Sequence, residues 1–405
     1  MTRKRRFSRR AFLRSAAAAT AALAAPTIVP KTSFGANDRI TAGIIGLGGP
    51  AGGGGGGTQT VAVCDVRQDK LDRHKNNTSV QQYRDFRELL ERDDIDAIFI
   101  GTPDHWHAIP AIEAAKKGKD IYCEKPMSLT VREARAMVNA VRRYGVVFQT
   151  GSQQRSANAG RFRFACEMVR SGRIGRIKRI HVNVGGPSQH IPTPAEPCPP
   201  GVDWNMWLGQ APWRPFNNRV LRGWRAFREF SGGGMTDWGH HHFDIVQWAL
   251  DMDGSGPREI YPPDGKDFKH LTYVYENGVQ VHHGGATGAQ IEFIGTEGRV
   301  MVDRGTLKTD PENIMAKPIG PGEVRLWRVP HGDHKRNWSE CVRARRRPIC
   351  DVEIGCRSVT VCHLGNIAYW LKRPLKWDPV KEDFIGDPEA SRWLSRPMRP
   401  PWRLG

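Results

Sequence analysis

The stretch Asp120-Ile-Tyr-Cys-Glu-Lys-Pro126 decides how this chain is read. Ile121, Tyr122 and Cys123 form a compact apolar run that reads as a short buried strand. The run stops abruptly on an acid, a base and a proline. In an open α/β sheet, ligands bind at the carboxyl ends of the strands, so Glu124 and Lys125 would stand where a ligand is held. Proline fixes its own φ and restricts the residue before it, which keeps Lys125 in place. Taken alone, the three residues fit a surface turn with an incidental ion pair equally well. The flanking sequence separates the two readings.

Upstream, Arg39-Ile-Thr-Ala-Gly-Ile-Ile45 is an apolar strand running into Gly46-Leu-Gly48-Gly49, with Ala51 as the last place of a G-x-G-x-x-G/A turn. Such glycines let the backbone turn tightly and approach a diphosphate. A second strand, Thr60-Val-Ala-Val-Cys64, ends in Asp65. A carboxylate there suits ribose hydroxyls and favours NAD over NADP.

The crossover between these strands breaks the pattern. Gly52 to Gly57 are six consecutive glycines where an amphipathic helix is expected. At about 0.8–1 kcal/mol per glycine against alanine, six cost a helix roughly 5–6 kcal/mol, and no apolar stripe offsets this by packing. The segment reads as a flexible, shortened connection, which puts the phosphate cradle in question.

Beyond it the alternation resumes. Helical spacing over Tyr83–Leu90 is followed by a strand over Ile95–Gly101, which ends in Thr102-Pro-Asp-His-Trp-His107. A helix over Ile109–Lys117 is stopped by Gly118. After the strand that ends in Glu124-Lys125-Pro126 come a helix over Val131–Tyr144 and a strand over Val146–Thr150. This βαβ rhythm predicts a doubly wound parallel sheet over 37–155.

In the second half, 156–375, a helix is expected over Phe162–Ser171 and a strand over Arg176–Val184. Further strands are expected over Lys269–Tyr275, Val279–Gly284 and Ala289–Phe293, with helices over Lys335–Arg345 and Arg357–Leu371. Residues 185–235 are rich in Gly, Pro and Trp and too long for a plain loop. Their tryptophans could line a sugar-stacking wall, though pinning the insertion to the core is favoured. In Asp237-Trp-Gly-His-His-His-Phe-Asp244, helical spacing puts Asp237, His241, Asp244 and Trp248 on one stripe. An Asp and a His one turn apart can orient an imidazole for acid/base work. His240, His241 and His242 diverge by about 100° per residue, so they cannot share one ion. His240 with Asp244 could supply part of a site, but no third ligand is evident, and no metal is expected. Residues 376–405 read as a Pro- and Arg-rich tail wrapping the surface.

The chain has 405 residues, 39% hydrophobic, with 13 tryptophans, which is ample for two domains. Its charge of +19 is not a nucleic-acid signal. Eight cationic residues precede Asn37, leaving +11 scattered over the rest, and no nucleic-acid-binding motif accompanies them. Residues 1–36 read as an export leader. Ser8-Arg9-Arg10-Ala11-Phe12-Leu13 resembles a twin-arginine signal, and the Ala/Leu run from Ser15 to Ala25 is too short to span a membrane. A periplasmic or other extracytoplasmic protein, exported folded by the twin-arginine machinery without a stable membrane anchor, is the expectation. The eight cysteines show no zinc-ligand spacing, and several sit in apolar runs, so buried free thiols are expected rather than disulfides.

Gly46-x-Gly48, Asp65, Thr102-Pro-Asp-His-Trp-His107 and Glu124-Lys125-Pro126 together resemble the Gfo/Idh/MocA oxidoreductases, named after glucose–fructose oxidoreductase and inositol dehydrogenase among others. The resemblance covers nearly the whole chain after residue 37. It implies a Rossmann NAD(P) domain followed by an α/β domain with an open mixed, largely antiparallel sheet, which often forms a homo-oligomer interface. It implies cofactor contacts from Gly46, Gly48, Gly49, Asp65, Thr102, Pro103, His105, His107, Glu124, Lys125 and Pro126. The family's D-x-x-x-H pattern maps onto Asp237 and His241, which with Lys125 become the catalytic candidates. Glu124 would set the position of Lys125. Histidine is usual in such relatives where Cys356 stands. The reaction implied is hydride transfer between NAD and a hydroxyl of a sugar, cyclitol or glycoside. Because free NAD is not expected outside the cytoplasm, the dinucleotide would be tightly held, loaded before export and recycled by a second substrate. Two alternatives stay open: an NAD-assisted redox glycosidase, and a non-catalytic relative whose phosphate-binding helix has given way to the glycine run.

Overall fold

The computed structural model describes residues 39–49 and 54–404; the leader motif lies outside them. Six parallel strands form the first sheet: β1 (Thr41–Ile45), β2 (Gln59–Cys64), β3 (Gln81–Tyr83), β4 (Ala97–Ile100), β5 (Asp120–Cys123) and β6 (Phe148–Thr150), in the order β3-β2-β1-β4-β5-β6. Order reverses between β1 and β4, so the crevice at their carboxyl ends is the switch point of a doubly wound sheet.

Three helices, α1 (Phe86–Leu90), α2 (Ala108–Lys116) and α3 (Val131–Tyr144), cover one face of this sheet. Thr130 and Glu133 make a reciprocal capping box at the start of α3, and Gly145 ends it at φ +67°. The expected helix over Tyr83–Leu90 begins later. Gln81–Tyr83 pairs with β2 as an edge strand, and the Asp85 carboxylate caps α1 by accepting from Arg87 N at 2.9 Å.

On the opposite face, no helix joins β1 to β2 among the described residues. Gly54, Gly55, Gly56 and Gly57 form a turn with φ of +58°, +132°, +66° and +79°, a left-handed path that only glycine follows cheaply. This part of the run is docked rather than loose. The Lys335 ammonium donates to Gly54 O at 2.5 Å, and Ser339 Oγ donates to Gly56 O at 2.5 Å. A Cβ on residue 56 would stand 2.5 Å from the Lys335 carbonyl oxygen. Trp338, Cys341 and Val342 bury themselves against Ala42, Ile44, Val63, Ala97, Phe99 and Tyr122 of the sheet. Trp338 meets Phe99 edge-on at 5.0 Å.

The second half holds a nine-stranded sheet. Its strands are β7 (Ile177–Val182), β8 (Glu259–Tyr261), β9 (Leu271–Val274), β10 (Gln280–His283), β11 (Ile291–Gly295), β12 (Arg299–Val302), β13 (Leu307–Asp310), β14 (Leu375–Asp378) and β15 (Asp383–Phe384). The order is β13-β12-β11-β7-β10-β9-β8-β14-β15, antiparallel except for β7 with β10. The longer helices of this half are α4 (Arg161–Arg170), α5 (Gly239–Ala249), α6 (His334–Ala344) and α7 (Val352–Leu371). Helix α7 is buried over most of its length, with Glu353 and Arg357 part-exposed near its start. Val352, Cys356 and Val359 pack into the core of the first sheet, while Val361, Cys362, Leu364 and Ile367 enter the core of the second. Arg135 of α3 fastens the arrangement with paired bonds to Glu353 and Glu382. Cys356 is buried with its Sγ 4.0 Å from Glu382.

Residues after 375 do more than wrap the surface. β14 extends the second sheet, and Trp402 packs edge-on against Trp106 at 4.8 Å, back in the first half. All eight cysteines are free, and seven are buried. No helix among the described residues is long and apolar enough to cross a membrane.

Candidate active site

The turn after β1 needs glycine for a measurable reason. Gly46 has φ +86°, and a Cβ there would lie 2.6 Å from Thr102 N and 2.8 Å from Gly101 C, both backbone atoms that cannot yield. Gly46 N donates to Cys64 O, and Leu47 N donates to Asp65 Oδ2 at 2.8 Å. The Asp65 carboxylate also takes Arg67 N at 3.0 Å, so it is fixed between the turn and its own loop. Gly48, Gly49, Asp65, Thr102, Pro103, Glu124 and Lys125 all line one cavity of about 440 Å³.

The insertion closes this cavity from above. Trp204 and Trp207 stack at 4.7 Å over a small core with Phe216, Phe227 and Phe230, so the tryptophans do pin the segment. From that base Trp207, Leu221, Arg222, Trp224 and Arg225 reach the cavity wall. Beside Asp65, Gln68 N donates to Gly201 O at 2.8 Å and Asp203 N to Val66 O at 3.0 Å. The Arg84 guanidinium bonds Val66 O, Gly201 O and Gln68 Oε1. These contacts form a clasp between the two halves at the Asp65 end.

Lys125 stands at the end of β5, before a cis peptide to Pro126. Its ammonium donates to Asp237 Oδ1 at 2.6 Å and to the Asp237 carbonyl at 2.8 Å. Arg225 Nε approaches the same carboxylate at 3.4 Å. Burial alone would raise the Asp237 pKa, but Lys125 and Arg225 bring it below the usual carboxylate value. The residue that positions Lys125 is therefore Asp237 and not Glu124. Burial raises the pKa of Glu124, and its Oε1 has no partner.

The expected stripe from Asp237 to Trp248 does not form, because the helix is interrupted at Trp238, between a turn at Gly234–Asp237 and α5. Asp237 turns to Lys125. Asp244 turns into the core, where Arg155 grips it through two bonds of 2.8 Å and Ser358 Oγ through a third. It is unavailable to any ligand. His241 is buried, with Nδ1 unpartnered. Burial first, then the charges of Lys125 and Arg304, push its pKa well below the ordinary value, so the imidazole is neutral. His240 Nδ1 accepts from Met127 N at 3.3 Å. Among the described residues, no group of three or more His, Cys, Asp or Glu side chains could hold a metal ion.

Two residues of the Thr102–His107 motif sit behind the wall. His105 Nε2 meets Trp207 O at 3.0 Å, and its ring packs on Phe230. His107 lies between Pro126 O (2.7 Å) and Thr102 O (3.0 Å), bracing the two loops that carry Lys125 and Thr102. Pro126 likewise supports the site from outside the cavity lining. Asp104 and Trp106 are the cavity residues of this motif that sequence reasoning missed, and Asp104 is the one with titratable chemistry. Asp104 is buried, accepts from Ser231 Oγ at 2.7 Å, and has its pKa raised by burial to about 7. Arg225 was also missed, and its distance in sequence from Lys125 left no signal.

Comparisons with known proteins agree with this geometry. Residues 41–152 match the oxidoreductase family's NAD-binding Rossmann fold, and residues 187–404 match its C-terminal alpha/beta domain. A 2,7-anhydro-N-acetylneuraminate hydratase of Mediterraneibacter gnavus is 26% identical over 204 residues, 50% of this chain and 45% of that protein. A glycosyl hydrolase family 109 protein of Shewanella baltica is 32% identical over 205 residues, 42% of this chain and 44% of that protein. The chain thus spans less than half the length of either relative. In fold, it resembles the WlbA dehydrogenase of Bordetella pertussis in complex with NADH and UDP-GlcNAcA. The TM-score is 0.60 at 18% identity, covering 84% of this chain and 99% of that one.

Proposed function

The chain belongs to the oxidoreductase family that joins an NAD-binding Rossmann fold to a C-terminal alpha/beta domain, and on that premise we propose that it oxidises or reduces a hydroxyl-bearing carbon of a sugar, cyclitol or glycoside. One observation carries the reading: the Lys125 ammonium, fixed by Asp237, opens into the same cavity as the glycine turn and Asp65.

The residues present fit a dinucleotide. Gly46 leaves no room for a side chain beside Thr102. Thr102 Oγ1 and Glu124 Oε1 are buried polar atoms without partners at the cavity wall. Gly46, Gly48 and Gly49 would hold the diphosphate, Asp65 the ribose hydroxyls, and Thr102 and Glu124 the nicotinamide end. A carboxylate at Asp65 disfavours a 2′-phosphate, which supports NAD over NADP. When bound, the nicotinamide supplies the hydride acceptor or donor.

The chain's own residues divide the remaining work. Lys125, held as the ammonium, donates a hydrogen bond to the substrate hydroxyl oxygen and polarises it, leaving the proton to a neutral base. Asp237 fixes the ammonium and balances its charge. His241, kept neutral by burial and by the charge of Lys125, is the base that takes that proton. The insertion excludes water. The test follows from Lys125: substitution by alanine should abolish turnover on a polyol panel while leaving the melting temperature within a few degrees. Near-full activity in Lys125→Ala would refute the assignment.

The clasp at Gly201–Asp203 supports a dinucleotide that stays in place between turnovers. That suits recycling by a second substrate, and equally the redox glycosidase reading, in which NAD is regenerated within one turnover. Sugar release from an aryl glycoside without keto-sugar accumulation would favour the latter. The non-catalytic reading loses its motive where Gly54–Gly57 dock on α6. Export by the twin-arginine route, supported by Ser8–Leu13, and homo-oligomerisation through the second sheet are parts of the proposal. A fusion of residues 1–36 to a reporter and light scattering of the purified protein test them.

A further inference from the structure

Three carboxyl groups line the cavity that holds Lys125: those of Asp65, Asp104 and Glu124. Asp65 is tied to the glycine turn through Leu47 N, and Glu124 directly follows β5 at the nicotinamide end. Asp104 has no part in either task. It enters the cavity from the loop after β4 and is only 2% exposed.

Its protein partner comes from the other half of the chain. Ser231 Oγ, itself buried, donates to Asp104 Oδ2 at 2.7 Å and accepts from Gly233 N at 3.2 Å. Gly233 O in turn accepts from Asp237 N at 2.9 Å, and the Asp237 carboxylate takes the Lys125 ammonium at 2.6 Å. Asp104 and Lys125, both from the first half, thus reach across to one turn of the second and face the same cavity. The charges that act on Asp104 agree with this placement, because they are those of Arg225, Asp237 and Lys125.

A buried carboxyl is costly unless hydrogen-bond donors surround it. Asp104 has Ser231 Oγ, on Oδ2, and Oδ1 has no donor among the described residues. Arg225 does not fill the gap. Its guanidinium lies over the Trp224 ring at 4.3 Å, and its Nε turns to Asp237. The missing donor has to arrive through the cavity. We propose that Asp104 Oδ1 takes the hydroxyl adjacent to the one held by Lys125, so that the site selects substrates carrying a vicinal diol over their monodeoxy counterparts. This rests on the oxidoreductase reading for the hydroxyl at Lys125 and goes beyond it by naming the second contact. The ribose of a dinucleotide carries the same diol chemistry. The tie to Ser231 and Asp237 favours the substrate as its source, and the experiment separates the two.

The protein, saturated with NAD, is titrated by calorimetry with glucose, galactose, mannose and myo-inositol, and the tightest binder is compared with its monodeoxy analogues. One analogue should bind about 10- to 100-fold more weakly than its parent, because a site built to bond a hydroxyl rejects the ligand that lacks it. In Asp104→Ala the parent should weaken by that factor and the analogue should not, so the penalty disappears. Asp104→Asn keeps the shape and an acceptor for Ser231, which guards against a folding defect, and should remove most of the penalty. Lys125→Ala should lose turnover and keep the penalty, which separates failure of the oxidoreductase reading from failure of this contact. No binding of any of the four polyols, no penalty in any deoxy analogue, or a penalty unchanged in Asp104→Asn would each overturn the proposal. A fall in NAD affinity in Asp104→Asn with polyol binding untouched would also overturn it, and would assign Asp104 to the ribose of the cofactor.

Discussion

Replacing Asp237 by asparagine removes a charge and little else, because the side chain keeps its shape and its carbonyl oxygen. The Lys125 ammonium would retain the Asp237 main-chain carbonyl at 2.8 Å and lose the carboxylate at 2.6 Å. Both side chains are mostly buried, at 16% and 22% exposed, so solvent screens the pair only in part. A hydrogen bond to a charged partner in that setting contributes about 1.5–3 kcal/mol. A double-mutant cycle of Asp237→Asn with Lys125→Met, read from urea midpoints, should therefore show a coupling energy of about that size. In kcat/KM the same loss corresponds to roughly 10- to 150-fold, and Asp237→Asn should add nothing once Lys125 is gone. A coupling energy below about 0.5 kcal/mol, or multiplicative effects on kcat/KM, would refute the claim that Asp237 acts through Lys125.

Gly46→Ala puts a Cβ 2.6 Å from Thr102 N at φ +86°. It should cost about 2–4 kcal/mol of stability in denaturant titrations and weaken NAD binding by at least tenfold. Arg84→Ala opens the clasp around Val66 and Gly201 and should speed release of bound dinucleotide about tenfold in a displacement assay, with little change in fold. Burial depresses the pKa of His105, His107, His242 and His334 to about 4, and of His240 and His363 to about 3. Between pH 6.5 and 4 the unfolded chain binds protons there that the folded chain refuses, so stability falls with pH, by up to about 1.4 kcal/mol per unit for each group. Asp104 and Glu133, raised by burial to about 7, act the opposite way over the same range, as do Asp65, Asp120, Glu124 and Asp244, which burial also raises. His282, lowered to about 4, and His241 add to the histidine side. The urea midpoint should drop steeply from pH 6.5 to 4.5, and a flat or rising profile would contradict the buried neutral histidines.

The first sheet was legible because its signals are local. Apolar runs, glycine stops and strand-end motifs each lie within a dozen residues, and Lys125 and Asp65 took their places from them. What stayed hidden depends on chain segments far apart in sequence. Spacing on an uninterrupted helix joined Asp237 to His241, whereas a break at Trp238 and an ammonium 112 residues away join it to Lys125. His105 and His107 have the chemistry of ligands, yet the carbonyls of Trp207, Pro126 and Thr102 claim them. The glycine run carried a helix penalty that was real. Its compensation came from α6, whose approach to Gly56 no local pattern could announce. The strands β14 and β15, at the end of the second sheet, were missed because they lie in a Pro- and Arg-rich stretch whose few apolar residues show no period.

Lys125 has a role only if the glycine turn, Asp65 and the docked Gly54–Gly57 turn leave a dinucleotide held against it. Protein purified without added cofactor, then denatured and analysed by mass spectrometry, should release NAD(H) at close to one per chain. A protein that releases none, and that also fails to bind added NAD, would contradict the account.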